Sequence, residues 1–379
     1  MTKPTSASAP RLREGGLSLV EILVGLLIGM IGMVVIFQVL TVSEQRRRTA
    51  TFGSEAQTAG AIGLYTLQRE VQLAGYGFGA ADPAQTGCSV AAFDATRPSG
   101  QSFNFVLAPA VITQGASGAP DSITVLSGNS SRIVAQRAFT ASTATTKTME
   151  TGGRSGFAIG DLVVYVTTGT PPACALVQVT ALPCSAAGCS PSGSDLEVRH
   201  EAAGRFNSPS GASFATPQGF AFNLGSVNLP NQPRLTQWSI NGDRLVMTDA
   251  FGLATQGEGE ISDGIVNLQA QYGVDGNGNN VIEAAEWSDT TASWRDVRAI
   301  RVALLARSGD WDREHCNPNP TWTSGAGGQT FAMRSVDGSA DSFGGCSESP
   351  PSPNNWRRYR YRVYETIVPL RNMIWGTAP

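Results

Sequence analysis

Lysine and histidine are nearly absent from this 379-residue chain. Lys3 and Lys147 are the only lysines, and His200 and His315 the only histidines. So little histidine leaves most metal and acid–base chemistry without its usual residue. Charged residues make up 15% of the chain, well below the roughly 25% of an average soluble domain. The formal net charge is -3, and this mild acidity excludes a general nucleic-acid binder, which needs a concentrated positive field. No pair of cysteines forms C-x-x-C, so zinc ribbons and thioredoxin-like motifs are unsupported. The sequences G-x-S-x-G, H-E-x-x-H and G-x-x-x-x-G-K-[ST] do not occur. His200, between Arg199 and Glu201, and His315, beside Cys316, therefore read as structural or solvated residues, and the chain reads as no enzyme.

What is present begins with apolar residues. They make up 41% of the chain, enough for a sizeable core, while 43 Gly and 21 Pro imply many turns. The six cysteines, Cys88, Cys174, Cys184, Cys189, Cys316 and Cys346, suit disulfides in an oxidising compartment. Six cysteines allow 15 pairings, among which sequence does not choose; short loop closure favours Cys316–Cys346 and Cys184–Cys189, which leaves Cys88–Cys174.

Residues 1–16 are polar, carry Lys3, Arg11 and Arg13, and end in Gly15-Gly16. An apolar run follows from Leu17 to about Leu40. As a helix it would span ~36 Å, enough to cross a bilayer core of ~30 Å. A secretory signal places its small residues after the apolar stretch; here they precede it. Cleavage after Gly16 would keep the helix. Glu21 alone interrupts the run, and a carboxylate in hydrocarbon is costly enough to mark function. A freed amine on Leu17, of the same or a neighbouring subunit, is its expected partner.

Gly15-Gly16-Leu17-Ser18-Leu19-Val20-Glu21 resembles the class III prepilin signal of type IV pilins and type II secretion pseudopilins. That resemblance implies a membrane-embedded prepilin peptidase that cuts after Gly16 on the cytoplasmic side and methylates the new amine. Leu17 stands where most members have Phe. Arg46-Arg47-Arg48 balances the bases of the leader, so charge alone sets no orientation. The peptidase puts the leader inside, and the cysteines put the remainder outside. Gln68–Tyr76, Cys174–Thr180, Gln271–Asp275 and Thr366–Asn372 resemble, in that order, segments of the PilW type of minor pilin.

The domain reading is thus a cleaved leader over 1–16, an N-terminal helix over 17–78 with its membrane part at 17–40, and a β-rich domain over 79–379. The fold class is α+β: a long N-terminal helix packed on an antiparallel sheet. The implied role is type IV pilus initiation or assembly, at the tip or in a priming complex. The implied partners are other minor and major pilins, the prepilin peptidase, the inner membrane and a tip adhesin. The implied location is the inner membrane, by a single pass with the globular domain periplasmic, and then the pilus. A type II secretion pseudopilin shares the signal, and a membrane-tethered periplasmic enzyme is the alternative from a different class.

Within the helix, Gly53, Ala56, Gly60, Leu64, Leu67, Val71 and Ala74 form one stripe at spacings of three and four. The run Gly75-Tyr76-Gly77-Phe78-Gly79 ends it. Strands are expected at Ser122–Leu126, Asp161–Thr167, Cys174–Thr180, Ile265–Val274, Val297–Ala306 and Tyr359–Val368. Leu235–Ile240 and Arg244–Thr248 flank Asn241-Gly242, a hairpin signal of type I′. Arg358, Arg360 and Arg362 alternate with Tyr359, Tyr361 and Val363, as on a half-buried strand with a wet arginine face. Ala141–Thr151, Ser185–Ser194, Asn207–Gly219 and Gly325–Gly345 read as loops.

Residues 275–286 fall on the grid of a calcium loop. Asp275, Asn277 and Asn279 stand at positions 1, 3 and 5, Val281 offers its carbonyl at 7, and Glu283 and Glu286 stand at 9 and 12. Asn280 takes the place of the usual Gly at position 6, and Asn tolerates the left-handed conformation better than most residues. The cofactor expected is Ca2+.

Overall fold

The structure is a computed structural model. It describes residues 18–79, 86–97, 101–130, 136–184, 193–214, 216–228, 232–253, 258–322 and 329–376. The leader, Gly16, Leu17 and Cys189 lie outside the described residues. The chain divides into two compact units, Met1–Ser54 and Glu55–Pro379.

Helix α1 is a single element over Leu19–Leu73. No proline interrupts it, and its glycines at 53, 60 and 63 do not break it. In the second unit its stripe faces a core. Ala56, Leu67, Val71 and Ala74 are buried there, and Leu64 packs against them. Glycine lets the backbone approach. A Cβ on Gly60 would run into the Tyr364 ring, and one on Gly63 would lie 3.1 Å from a Leu245 methyl group. The helix stops at Gly75, whose φ of 79° is the left-handed conformation of a helix end. Asn372 caps it, its amide donating to the carbonyls of Ala74 (2.9 Å) and Leu73 (3.3 Å).

Two sheets meet this helix, with strands numbered in chain order. One has β3 (Ala110–Thr113), β4 (Ser122–Ser127), β11 (Arg234–Asn241), β12 (Arg244–Asp249) and β13 (Glu258–Asp263), in the order β13-β12-β11-β4-β3. The other has β14 (Ile265–Val274), β15 (Trp287–Ser288), β16 (Val297–Arg307) and β19 (Tyr361–Pro369), in the order β15-β14-β16-β19. Alternation sorts their faces. Leu268, Ala270 and Tyr272 of β14 enter the helix core, as do Ile300, Val302 and Leu304 of β16. The far face of β16 buries Ala303 and Leu305 against Trp322 and Phe331.

A third sheet lies apart from the helix core. It comprises β1 (Ser89–Phe93), β2 (Ser102–Val106), β5 (Arg137–Ser142), β6 (Thr146–Met149), β7 (Asp161–Thr167), β8 (Cys174–Gln178), β9 (Glu197–Arg199) and β10 (Gly219–Ser226), in the order β2-β1-β8-β7-β10-β5-β6-β9. Its central strand β7 is buried on both faces. Leu162, Val164 and Val166 point into one core, and Val163 and Tyr165 into another. A strand buried twice reads as an unbroken apolar run. The remaining pair is β17 (Thr321–Trp322) with β18 (Gln329–Thr330), and a short helix α2 (Arg371–Gly376) follows β19.

The architecture is the expected α+β one, with an N-terminal apolar helix and a large, mainly antiparallel β domain. The pair β1–β8 is parallel. Cys88–Cys174 and Cys316–Cys346 are disulfide-bonded as the spacing suggests, and Cys184 is also disulfide-bonded.

Four readings need correction. Ala141–Thr151 is not a loop: it holds the end of β5 and all of β6, a hairpin of Thr, Ala and Ser that carries little apolar signal. Gly325–Gly345 holds β18 and the bridge Arg334–Ala340. In the β11–β12 hairpin Asn241 pairs with Arg244, so Gly242 and Asp243 form the turn. Gly242, at φ 62°, takes the first central position, as in a II′ turn. Finally, Arg358 is not on a wet face. It ends a 3-10 turn before β19, is 4% exposed and pairs with Glu348 at 2.6 Å.

Lys147 of β6 is fully buried. Its ammonium donates to the carbonyls of Thr143 (2.8 Å) and Ala212 (2.9 Å) and lies 3.1 Å from His200 Nε2. Burial lowers its pKa to about 8. Burial and the neighbouring ammonium hold His200 neutral, with a pKa of about 3.

Gly60→Val should destabilise the detergent-solubilised protein by ~1–3 kcal/mol, because the Tyr364 ring must move. Gly53→Ala has nothing within 4 Å of the added carbon and should be neutral or stabilising, by up to ~1 kcal/mol. Denaturant melts of both variants check this. The buried pair sets a pH dependence. Unfolded His200 binds a proton below about 6.5 and the folded residue resists until about 3, so stability falls as pH drops through that window. Lys147 acts at the other end: the unfolded chain holds its proton longer, so stability rises from about pH 8 towards 10.5. The double variant Lys147→Met/His200→Leu should flatten both slopes and recover ~1–3 kcal/mol of the loss at pH 4.

Candidate functional site

Two regions carry the residues that sequence reading singles out. The first is the start of α1. Leu19–Glu44 is long and apolar enough to cross a membrane, and its side chains are exposed. Glu21 lies in the first turn, where it is exposed and its N–H donates to Ser18 O at 2.9 Å. A carboxylate near a helix N-terminus is favourable to the helix dipole. Gly25 and Gly29 have nothing within 4 Å of an added Cβ, which leaves them open on the helix surface.

The second region is the loop after β14. Asp275 is buried, and Arg298 Nε lies 3.9 Å from its Oδ2. Its two oxygens accept the N–H groups of Asn279 (3.1 Å) and Asn280 (3.0 Å). Asn277 Oδ1 accepts the same Asn279 N–H at 2.9 Å, and Asn279 Oδ1 accepts Val281 N–H at 2.8 Å. Each side chain thus folds the backbone over itself. Asn280 takes φ 62°, the conformation a Gly would supply at that position. Asp275, Asn277 and Asn279 are held in one turn. The two glutamates are turned elsewhere: Glu286 Oε2 accepts Glu283 N–H at 2.9 Å in a capping box, and Glu283 Oε1 lies 3.4 Å from Asn279 Nδ2. Among the described residues, no group of three or more His, Cys, Asp and Glu could hold a metal ion.

Both histidines have polar partners of other kinds. His200 is buried against Lys147, and His315 Nε2 lies 3.0 Å from Asn317 Oδ1. Sequence reading passed over Lys147 itself and the role of Asn372 as a helix cap. Lys147 carried one usable signal, its rarity in the chain. Asn372 carried none, since its partners are 298 and 299 residues away.

No curated protein and no solved structure matches the chain. Residues 234–372 match the model of a family described as type IV pilus-assembly protein W. The matched stretch runs from β11 to the start of α2 and includes all of the sheet β15-β14-β16-β19. Through that stretch the chain is similar to PilW-type proteins, a family of type IV pilus assembly.

Proposed function

We propose that the protein is a minor pilin, anchored in the inner membrane by Leu19–Glu44, that helps to initiate or cap the pilus. The observation that carries this reading is the joint presence of a PilW match and an apolar N-terminal helix with a carboxylate in its first turn. A leader is removed after Gly16, the amine of Leu17 is methylated, and the β domain faces the periplasm. Glu21 then pairs with an N-terminal amine, its own or that of a neighbouring major or minor pilin. At the tip the subunit would present its β domain beside an adhesin.

Mass spectrometry of the mature N-terminus should find Leu17 first, and any other first residue defeats the processing step. Glu21→Ala should still insert, since it removes a charge from the end of the span, where its cost is below the about 2.5–3.5 kcal/mol of a central charge. It should lower incorporation into sheared pili at least about tenfold, the equivalent of ~1.4 kcal/mol. Deletion of the chain should abolish surface pili and leave protein secretion intact. The reverse outcome would place it in a secretion pseudopilus.

We propose further that residues 275–286 take up calcium as a structural ion. Calcium accepts amide and carbonyl oxygens as well as carboxylates, so Asp275, Asn277, Asn279, the Val281 carbonyl, Glu283 and Glu286 supply a suitable donor set. The left-handed Asn280 supports the reading, because the loop already makes the sharp turn such a site needs. Glu286 would have to leave the Glu283 N–H to reach the ion. With few formal charges the affinity should lie near ~10⁻⁴–10⁻³ M. At ten times that concentration calcium would add ~1.4 kcal/mol, about 2–4 °C in melting temperature. Equal melting with calcium and with chelator, or an unchanged response in Asp275→Ala/Glu286→Ala, removes the site.

A further inference from the structure

The sheet that precedes the matched segment carries a cavity of about 360 Å³. Its floor is made by small residues. Ala91 of β1 stands opposite Asn104 of β2 and beside Ala175 of β8, and the Cys88–Cys174 bridge ties the start of β1 to β8. Phe93 and Phe214 stand at its sides, and His200 closes part of the wall. The polar groups differ in their freedom. The amide of Asn207 is fully engaged with Gln178 and Glu201. Ser102 and Asn104 are exposed, and their side chains make no hydrogen bond among the described residues.

Charge is what distinguishes this cavity. Among the described residues that line it there is no Asp, Glu, Lys or Arg. Immediately behind the wall sits Lys147, hydrogen-bonded to the lining residues His200 and Ala212. Its three hydrogen-bond partners are two carbonyls and an imidazole, it lies over the Tyr165 and Phe214 rings, and among the described residues no carboxylate pairs with it. A buried cation without a counter-charge acts strongly across a low-dielectric wall. The cavity therefore offers an apolar floor, unused Ser and Asn donors at one edge, and a single buried ammonium behind the opposite wall.

We propose that this cavity binds a small organic carboxylate with a compact apolar body. The body rests on Ala91 and Ala175 between the two phenylalanines. The carboxylate points to the wall of His200 and Ala212, behind which the Lys147 ammonium lies, while Ser102 and Asn104 bound the opposite edge of the cavity.

The test is calorimetric titration of the detergent-solubilised full chain at neutral pH. The probes are benzoate, phenylacetate and hexanoate, each beside its neutral amide. At least one acid should saturate a single site and bind about tenfold or more tightly than its amide, a difference of ~1.4 kcal/mol. Ala91→Phe, an exposed position on the floor, should abolish binding without lowering the melting temperature. Lys147→Met should reduce the acid to the affinity of the amide and leave the amide unchanged. The proposal is overturned if all three acids bind more weakly than ~1 mM, if acid and amide bind equally, or if binding survives Ala91→Phe. Because the Ala91 variant leaves the buried amine untouched, the test stands even if Lys147→Met fails to fold.

Discussion

The close approach of the second half of α1 to the β domain is the constraint on which the rest of that unit depends. It requires a helix stripe with almost no side-chain volume at Gly60 and Gly63, and large residues, Leu67 and Val71, further along. The volume omitted from the helix is supplied by the sheet, as Tyr364 opposite Gly60 and as Leu245 and Leu304 near Gly63. Fully burying Leu67 and Val71 contributes about 1.5–3 kcal/mol each. Polar contacts then fix the register. Ser262 donates to the Ala59 carbonyl at 2.9 Å, and Thr236 to Glu70 at 3.2 Å. A helix seated this closely cannot slide by a turn without a clash, so sheet and helix specify each other.

The larger sheet is built on a different economy. Its own two cores need no helix, because β7 is covered on both faces by side chains of its own region. It meets the remainder of the unit through shared residues: Phe78 after the helix, Leu126 of β4, and Leu235 of β11 lie in one of its cores. Asp94 fastens a corner. Burial pushes its carboxyl up, but the Arg205 guanidinium, bonded at 2.8 and 2.9 Å, and Thr96 bring it down to about 2. The cavity with its buried lysine belongs to this sheet. It lies outside residues 234–372, so a ligand there would be a property this chain adds to the matched segment.

Long-period and strongly apolar features were legible. The helix stripe, β7, β14 and β16 all follow from spacing or from uninterrupted apolar runs, because burial leaves a direct trace in composition. The β5–β6 hairpin was not, since Thr146 and Thr148 look like loop residues until β5 and β9 pair on either side of them. β10 was hidden by the glycines at its two ends, Gly219 and Gly225. The hairpin at Gly242 was found one residue out of place, because Asn-Gly suggests a turn that the pairing of Asn241 with Arg244 overrules. Arg358 misled for a related reason: alternation shows which residues share a face, not where the strand begins. At the site level, the left-handed Asn280 was readable from local chemistry. The Lys147–His200 contact was not, because it joins residues 53 apart through folding alone.

The disulfides carry a mechanical consequence. A chain pulled along its length lengthens by ~3.3–3.6 Å for each residue released. Cys88–Cys174 short-circuits 86 residues, and Cys316–Cys346 short-circuits 30. Tension applied through the backbone passes across these bridges and bypasses the strands between them. About 290 Å of contour in the first loop and ~100 Å in the second are thus withheld from extension. Ala91 and strands β1, β2, β5, β6 and β7 lie inside the first bypass, whereas Ala175 and the His200 and Phe214 walls lie beyond it, so under load the cavity would open from its walls while the backbone that carries Ala91 stays off the line of tension.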